Sequence, residues 1–159
     1  MNKKLILIVL LSPFVFFSCG FSPVLKNINN DNLKIKSIKI TGETTLVFFL
    51  QGQLNFKENL QDPDALNIKI DIKKNISSKT KNTSGITTEE NLEVILTLKI
   101  YDNNDKNNIY DDEFSSTKTI KLSSNPVTDE ELKKVETENI LKDMSQKIKF
   151  LINYVVNKK

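Results

Sequence analysis

The sequence predicts an α+β two-layer sandwich, in which a mostly antiparallel four-stranded sheet carries two helices on one face in the order β-α-β-β-β-α. Three observations support this prediction. Several segments alternate apolar and polar residues, which is typical of half-buried strands. Two other segments carry apolar residues at spacings of three and four, which is typical of amphipathic helices. Clusters of Asn, Asp, Ser and Pro separate the segments and indicate turns.

The first two predicted elements differ in their apolar period. Leu33–Ile40 alternates, with a change of phase near Ser37 that predicts a strand containing a bulge. Thr44–Gln61 then places leucine and phenylalanine at helical spacings, which predicts an amphipathic helix. A buried strand at Leu46–Leu50 is the alternative for the apolar centre of this segment.

Three strands follow in the prediction. Leu66–Ile76 alternates cleanly and is followed by a polar connector at Ser77–Thr88. Leu92–Ile100 has the clearest alternation in the chain, and Ile109–Leu122 forms the last strand. The turn cluster at Asp102–Asn108 joins these two strands and predicts a hairpin loop.

A long helix is predicted at the end of the chain. Thr128 and Glu131 have the spacing of a capping box, with Thr128 as the N-cap. Lys158 and Lys159 suit the negative end of the helix dipole. The apolar stripe of this helix consists of Leu132, Val135, Leu141, Met144, Ile148, Leu151, Ile152 and Val155.

The composition excludes several classes of function. The 159 residues include no histidine and one cysteine, and all 23 basic residues are lysine. Catalysis by histidine, Cys-His or Ser-His-Asp sets is therefore excluded, as is an ordinary Cys/His zinc site. The net charge of +3 is too small to argue for nucleic-acid binding. We expect no cofactor and no metal site, although catalysis by Ser, Lys or carboxylates alone remains open.

The first 18 residues have the pattern of a secretory signal. Lys3 and Lys4 precede the apolar run Leu5–Phe17, which is shorter than the about 20 residues that a membrane-spanning helix needs. The run ends at Ser18 followed by Cys19, an arrangement like the lipobox of bacterial lipoproteins. Residues 1–18 are thus predicted to be a cleaved signal peptide and Cys19 the site of lipid attachment. The alternative is an uncleaved anchor with a free cysteine.

Residues 19–32 read as a lipidated tether that is rich in Asn, and residues 33–159 as one domain. Stable anchoring needs more than one acyl chain, which a triacylated Cys19 would supply. Gly20 follows the cysteine, where Asp would favour retention in the inner membrane. We therefore expect the periplasmic face of the outer membrane of a Gram-negative bacterium as the location.

The chain resembles the LPS-assembly lipoprotein LptE family. The opening Cys19-Gly-Phe-Ser-Pro-Val24 is similar to the start of mature family members. Ile38–Leu54 resembles the strand-then-helix segment of the family, and Leu92–Tyr101 followed by Asp102 resembles its long strand with an acidic turn. The Glu-rich stretch Glu130–Glu138 fits the entry to the last helix. The chain departs from the family in having no arginine, which weakens any carry-over of contacts that need the guanidinium fork.

The resemblance implies a binding function. LptE proteins partner the outer-membrane β-barrel protein LptD, plug its barrel, support barrel assembly and help deliver lipopolysaccharide to the cell surface; members also bind lipopolysaccharide. The resemblance therefore implies LptD and lipopolysaccharide as partners. The alternative is another periplasmic lipoprotein, such as an accessory of β-barrel assembly.

Four lysines are candidates for contact with the phosphates of lipid A or with an acidic barrel lumen. Lys69, Lys73 and Lys99 occupy outward positions of neighbouring predicted strands, and Lys121 could join them. The alternative is an ordinary solvated face in a lysine-rich chain.

The acidic run Asp102–Glu113 lacks the ligand at its fifth position and the Gly at its sixth that an EF-hand loop requires, so a solvated turn is the better interpretation. Asp111 and Asp112 are adjacent in a predicted strand and should point to opposite faces, so they should not form an acid–base pair.

Overall fold

The computed structural model describes residues 33–60, 64–102, 108–123 and 125–158. Within them the order of elements is β-α-β-β-β-α, as the periodicity predicts. The elements are β1 (Ile35–Thr41), α1 (Thr44–Leu54), β2 (Leu66–Lys81), β3 (Thr87–Tyr101), β4 (Asn108–Lys121) and α2 (Pro126–Lys158).

The four strands form one sheet in the order β1-β2-β3-β4. β1 runs parallel to β2, whereas β2–β3 and β3–β4 are antiparallel. The parallel pair follows from the connectivity, because the segment containing α1 carries the chain back before β2 begins. The mostly antiparallel sheet is thus confirmed. The bulge predicted near Ser37 is confirmed as well, since the register with β2 shifts between Ile35 and Ser37.

One face of the sheet is buried beneath both helices. Every second residue of β3 from Leu92 to Ile100 is fully buried, and Ile68 and Ile70 of β2 are buried beside them. Burying each such side chain contributes about 1.5–3 kcal/mol. Both helices belong to the same core, to which they contribute Leu46, Leu50, Leu54, Ile140, Leu141, Met144, Ile148 and Ile152. The predicted arrangement of two helices on one face is therefore confirmed.

Helix α1 is shorter than the predicted Thr44–Gln61. It ends at Leu54, where Asn55 adopts the left-handed conformation with φ of 44° and donates its backbone N–H to the Gln51 carbonyl. Asparagine tolerates this conformation better than most residues, so it stops the helix. Leu60, which would extend the apolar stripe, is 71% exposed. The alternative of a buried strand at Leu46–Leu50 is wrong.

The polar connector predicted at Ser77–Thr88 is also wrong. β2 continues to Lys81 and β3 begins at Thr87, so most of this segment lies in a long hairpin. Only Asn82–Ile86 forms the turn, in which the Asn82 side chain accepts hydrogen bonds from two backbone N–H groups. Backbone hydrogen bonds between strands form regardless of the side chains. A strand with polar residues on both faces therefore shows no apolar–polar alternation, and the sequence pattern cannot identify it.

Helix α2 begins three residues earlier than the predicted capping box implies. Asn125 is the N-cap, because its Oδ1 accepts the N–H of Val127 at 3.1 Å. Pro126 occupies the first helical position, where a missing N–H has no cost. Thr128 therefore lies inside the first turn and is not the cap. The carboxylate of Asp129 reaches back to the N–H of Ser123 at 2.8 Å, which ties the helix start to the end of β4.

Candidate functional site

The sheet face away from the helices is polar and carries most of the candidate lysines. In β2, Ile68, Ile70 and Ile72 point into the core, whereas Lys69 and Lys73 are exposed between and beyond them. We call this exposed surface the outer face. Because successive strand residues point to opposite sides, odd-numbered residues of β2 before its bulge, of β3 and of β4 share the outer face.

The strand register brings three lysines into one row across the outer face. Lys39 of β1 is opposite Lys69 of β2, and Lys69 is in turn opposite Lys99 of β3. Directly opposed side chains have Cβ atoms about 4.5–5.5 Å apart, so three like charges are held close together. We call Lys39, Lys69 and Lys99 the lysine row. Such a row is unfavourable by itself and favours binding of an anion.

Lys39 was missed by the sequence reasoning. The change of phase at the bulge near Ser37 places Lys39 outward, so the local pattern held the necessary signal. Its position opposite Lys69 depends on the parallel register of β1 with β2, which the local pattern does not contain.

One end of the lysine row is neutralised. Lys99 Nζ lies 2.9 Å from Asp111 Oδ2, and the side chain of Asn108 donates a second hydrogen bond to the same oxygen. Neither Lys39 nor Lys69 has an ion pair within the described part of the chain. The uncompensated positive charge of the row therefore lies at β1 and β2.

A shallow pocket of about 280 Å³ opens on the outer face next to the lysine row. Lys69, Lys99, Asp71 and Thr97 line it. The two ammonium groups and the Thr97 hydroxyl can donate hydrogen bonds to phosphate or carboxylate oxygens. Asp71 opposes an anion there, although one of its oxygens already accepts a hydrogen bond from Thr41 Oγ1 at 2.7 Å. The arrangement can hold an anionic group.

The two other candidate lysines lie at different distances from the row. Lys73 is on the outer face, opposite Ile95 and two residues beyond Asp71. Lys121 is opposite Glu89, ten residues along β3 from Lys99, which corresponds to about 33 Å. The structure thus brings Lys69, Lys73 and Lys99 into one region and places Lys121 at the far end of the sheet.

A second charged cluster lies on the helix side and was not predicted. Lys133 of α2 contacts Glu130 Oε1 and Glu90 Oε2, each at 2.8 Å, and only 13% of its side chain is exposed. Hydrogen bonds to Glu130 and then to Glu90 raise the pKa of Lys133. Nearby, Lys118 of β4 donates to Glu136 and lowers the pKa of that carboxyl. These pairs attach the first half of α2 to β3 and β4.

The acidic run holds no convergent carboxylates within the described residues. Asp111 binds Lys99 on the outer face, whereas Asp112 accepts a hydrogen bond from Tyr110 and belongs to the other face. Residues 103–107 of the run lie outside the described residues. In the described part of the chain, no group of three or more His, Cys, Asp or Glu residues is arranged to hold a metal ion.

The predicted signal peptide 1–18 and tether 19–32, with Cys19, lie outside the described residues. Among the residues that are described, no helix combines the length and the apolarity that crossing a bilayer requires.

Two solved structures have a similar fold. The minor lipoprotein from Acinetobacter baumannii matches with a TM-score of 0.56 and 17% identity, over 77% of this chain and 92% of that one. Lipoprotein B from Nitrosomonas europaea, described as uncharacterized, matches with a TM-score of 0.55 and 15% identity, over 74% of this chain and 81% of that one. The fold is one that bacterial lipoproteins adopt. No protein-family model and no curated protein matches the sequence.

Proposed function

We propose that this chain is an outer-membrane lipoprotein of a Gram-negative bacterium. In this proposal it forms a complex with the β-barrel protein LptD, plugs the barrel and assists the assembly of lipopolysaccharide at the cell surface. One combination carries the proposal: a lipobox-like Ser18-Cys19 precedes a domain whose fold occurs in lipoproteins. Lipid chains on Cys19 would hold the domain at the periplasmic face of the outer membrane.

The proposed activity is binding, with no catalytic step, cofactor or metal. The sequence has no histidine, and its one cysteine is the proposed lipid attachment site. Several ion pairs among the described residues link strands to each other or to a helix, such as Lys99 with Asp111 and Lys118 with Glu136. They support a rigid domain that acts through its surfaces.

The lysine row is the proposed contact for lipopolysaccharide. Lys39 and Lys69 present two ammonium groups from adjacent strands, and phosphate groups such as those of lipid A would neutralise their mutual repulsion. An acidic barrel lumen could meet the same charges. Lysine acts as a point charge, so this contact would not need the arginine that the chain lacks.

Affinity purification tests the barrel partnership. The full-length chain, tagged at its C-terminus, would be expressed in its own cell, extracted in mild detergent and captured, and the co-purifying β-barrel identified by mass spectrometry. LptD is the expected partner. Recovery of the barrel-assembly machinery without LptD would replace the proposal with an accessory role, and recovery of no barrel would contradict both.

Cys19→Ser tests the anchor separately, because this variant should remain unprocessed and lack the lipid.

Charge reversal tests the lipopolysaccharide contact. The double variant Lys39→Glu and Lys69→Glu should weaken binding of purified protein to lipopolysaccharide by about tenfold, because two attractions become repulsions. Lys121→Glu is the control for position, since it reverses one lysine charge on the same face about 33 Å away, and it is compared with Lys69→Glu alone as well as with the double variant. Equal binding by the double variant and the wild type would rule out the lysine row as the contact.

A further inference from the structure

β2 is more than twice as long as β1, its neighbour on one side. β1 pairs only with Leu66–Asp71, whereas β2 continues to Lys81. Among the described residues, no strand pairs with Ile72–Lys81 on the side opposite β3. This stretch of ten residues, about 33 Å long, is an open sheet edge.

The backbone groups at this edge point outward at known positions. Leu66 donates its N–H to the Lys34 carbonyl at 2.9 Å, and the Ile70 carbonyl accepts a contact from Thr41 Oγ1 at 3.4 Å. Even-numbered residues of β2 therefore direct their N–H and C=O groups towards the β1 side. Beyond the end of β1, Lys74 and Ile76 direct theirs to the open edge.

A groove runs beside the same stretch of β2 on the helix side. Its volume is about 370 Å³, and it lies between the start of α1, β2 and the first half of α2. Ile76 lines the groove and is 44% exposed, and the half-buried Phe49 lines it from α1. The ion pair of Lys74 with Glu43, at 3.1 Å, also belongs to its wall. An added strand would direct every second side chain towards this groove.

The positive charge of the open edge favours the binding of a negatively charged strand. Ile72–Lys81 contains four lysines and no acidic residue. Lys73 and Lys81 have no ion pair within the described residues. Two copies of this edge would oppose lysine with lysine, which is unfavourable, and lysine-rich edges are a usual protection against self-pairing. An acidic strand opposes no acidic residue within Ile72–Lys81.

We propose that an extended acidic segment of a partner protein binds at Ile72–Lys81 as an added strand. Its backbone pairs with Lys74 and Ile76, its carboxylates lie near Lys73, and an apolar side chain enters the groove beside Ile76. This inference goes beyond the proposed function, because it uses the open backbone edge of β2 and requires neither lipopolysaccharide nor the lipid anchor.

A designed peptide tests the added strand. The probe is a fluorescein-labelled peptide of four Glu-Val repeats with blocked ends, mixed with the full-length protein in detergent. Binding is followed by fluorescence anisotropy, and amide hydrogen exchange locates it. We expect exchange within 72–81 to slow when the peptide binds, while exchange in β4, the other edge of the sheet, stays unchanged.

Two control peptides separate strand pairing from simple charge attraction. The same peptide N-methylated at four central amides should bind at least about tenfold more weakly, since each strand hydrogen bond contributes roughly fivefold in affinity. A Lys-Val peptide should not bind. Equal binding of the methylated and unmethylated Glu-Val peptides would overturn the proposal, as would slower exchange in β4 in place of 72–81.

Variants of the protein test the named contacts. Lys73→Glu should weaken binding of the Glu-Val peptide by about threefold to tenfold, and Ile76→Ser by a similar factor. Lys142→Glu, an exposed position on α2, is the control for net charge and should have little effect. An equal effect of Lys73→Glu and Lys142→Glu would overturn the proposal. So would slow exchange of the Lys74 and Ile76 amides in the free monomer, or a self-associated form that protects these two amides, because each places another occupant at the edge.

Discussion

Replacing Gly42 by alanine should destabilise this domain more than most single substitutions outside the core. Gly42 follows β1 and has a φ of 142°, a conformation that L side chains rarely adopt. A Cβ atom there would lie 2.7 Å from the carbonyl oxygen of Ile72 and 3.0 Å from Ile72 Cβ. Both atoms are fixed by the paired backbone of β2, so rotation of a side chain cannot relieve the clash.

The expected loss of stability follows from these two effects. Backbone strain of this kind costs about 1–3 kcal/mol, and forcing an extra carbon into a packed site costs about 1–3 kcal/mol. Together they lower the free energy of unfolding by about 2–6 kcal/mol. For a domain of this size, each kcal/mol lowers Tm by roughly 4 °C, so Tm should fall by about 8–24 °C.

Urea and thermal unfolding followed by circular dichroism measure the effect of Gly42→Ala. Gly52→Ala is the matched control, because Gly52 lies within α1 and a Cβ there would meet no heavy atom within 4 Å. This control should raise the free energy of unfolding by about 0.5–1 kcal/mol. A Gly42→Ala protein as stable as the wild type would refute the reasoning, and so would a shift of both variants in the same direction.

Three further substitutions test the core, the helix cap and an ion pair by urea unfolding. Ile148→Ala removes a fully buried side chain and should cost about 2–5 kcal/mol; a loss below about 1 kcal/mol would contradict the described core. Asn125→Ala removes the cap of the Val127 N–H and should cost about 0.5–2 kcal/mol, whereas Asn125→Ser should retain most of the stability. Lys118 holds the pKa of Glu136 below its ordinary 4.5, so the stability from this pair is present above pH 4.5 and is lost as the pH falls through the lowered value. Unfolding measured from pH 6 to pH 3.5 should therefore lose less stability in Glu136→Gln than in the wild type, and parallel profiles would exclude the coupling.

The elements with strong apolar periods were predictable from the sequence. The alternation of Leu92–Ile100 and of Ile68–Ile72 identified strands and their buried faces, because a period of two residues can bury only one side of a sheet. The stripe from Leu141 to Ile152 identified the last helix for the corresponding reason. The boundaries were less predictable, since they depend on single residues such as Asn55 and Asn125, whose backbone conformation and hydrogen bonds stop or start a helix.

The candidate site was only partly predictable. Alternation correctly placed Lys69 and Lys99 on the outer face. It did not identify Lys39 as a neighbour of Lys69, and it did not show that Lys121 lies far from the other lysines. Both positions depend on which residues of distant strands are paired. The ion pairs Lys118–Glu136 and Lys133–Glu90 join residues that are far apart in the chain, so no local sequence pattern predicts them.

The sequence by itself determined the order and type of the elements, the buried faces of the alternating strands and the position of the one cysteine after an apolar run. These properties are local, since each depends on the spacing of neighbouring residues. The tertiary structure alone decided the register of the sheet. That register aligns Lys39, Lys69 and Lys99 and leaves Ile72–Lys81 without a paired strand on the β1 side among the described residues. The physical reason is that backbone hydrogen bonds pair strands even where the side chains are polar on both faces. The hairpin of β2 and β3 therefore extends beyond the end of β1 although no apolar pattern in the sequence indicates it.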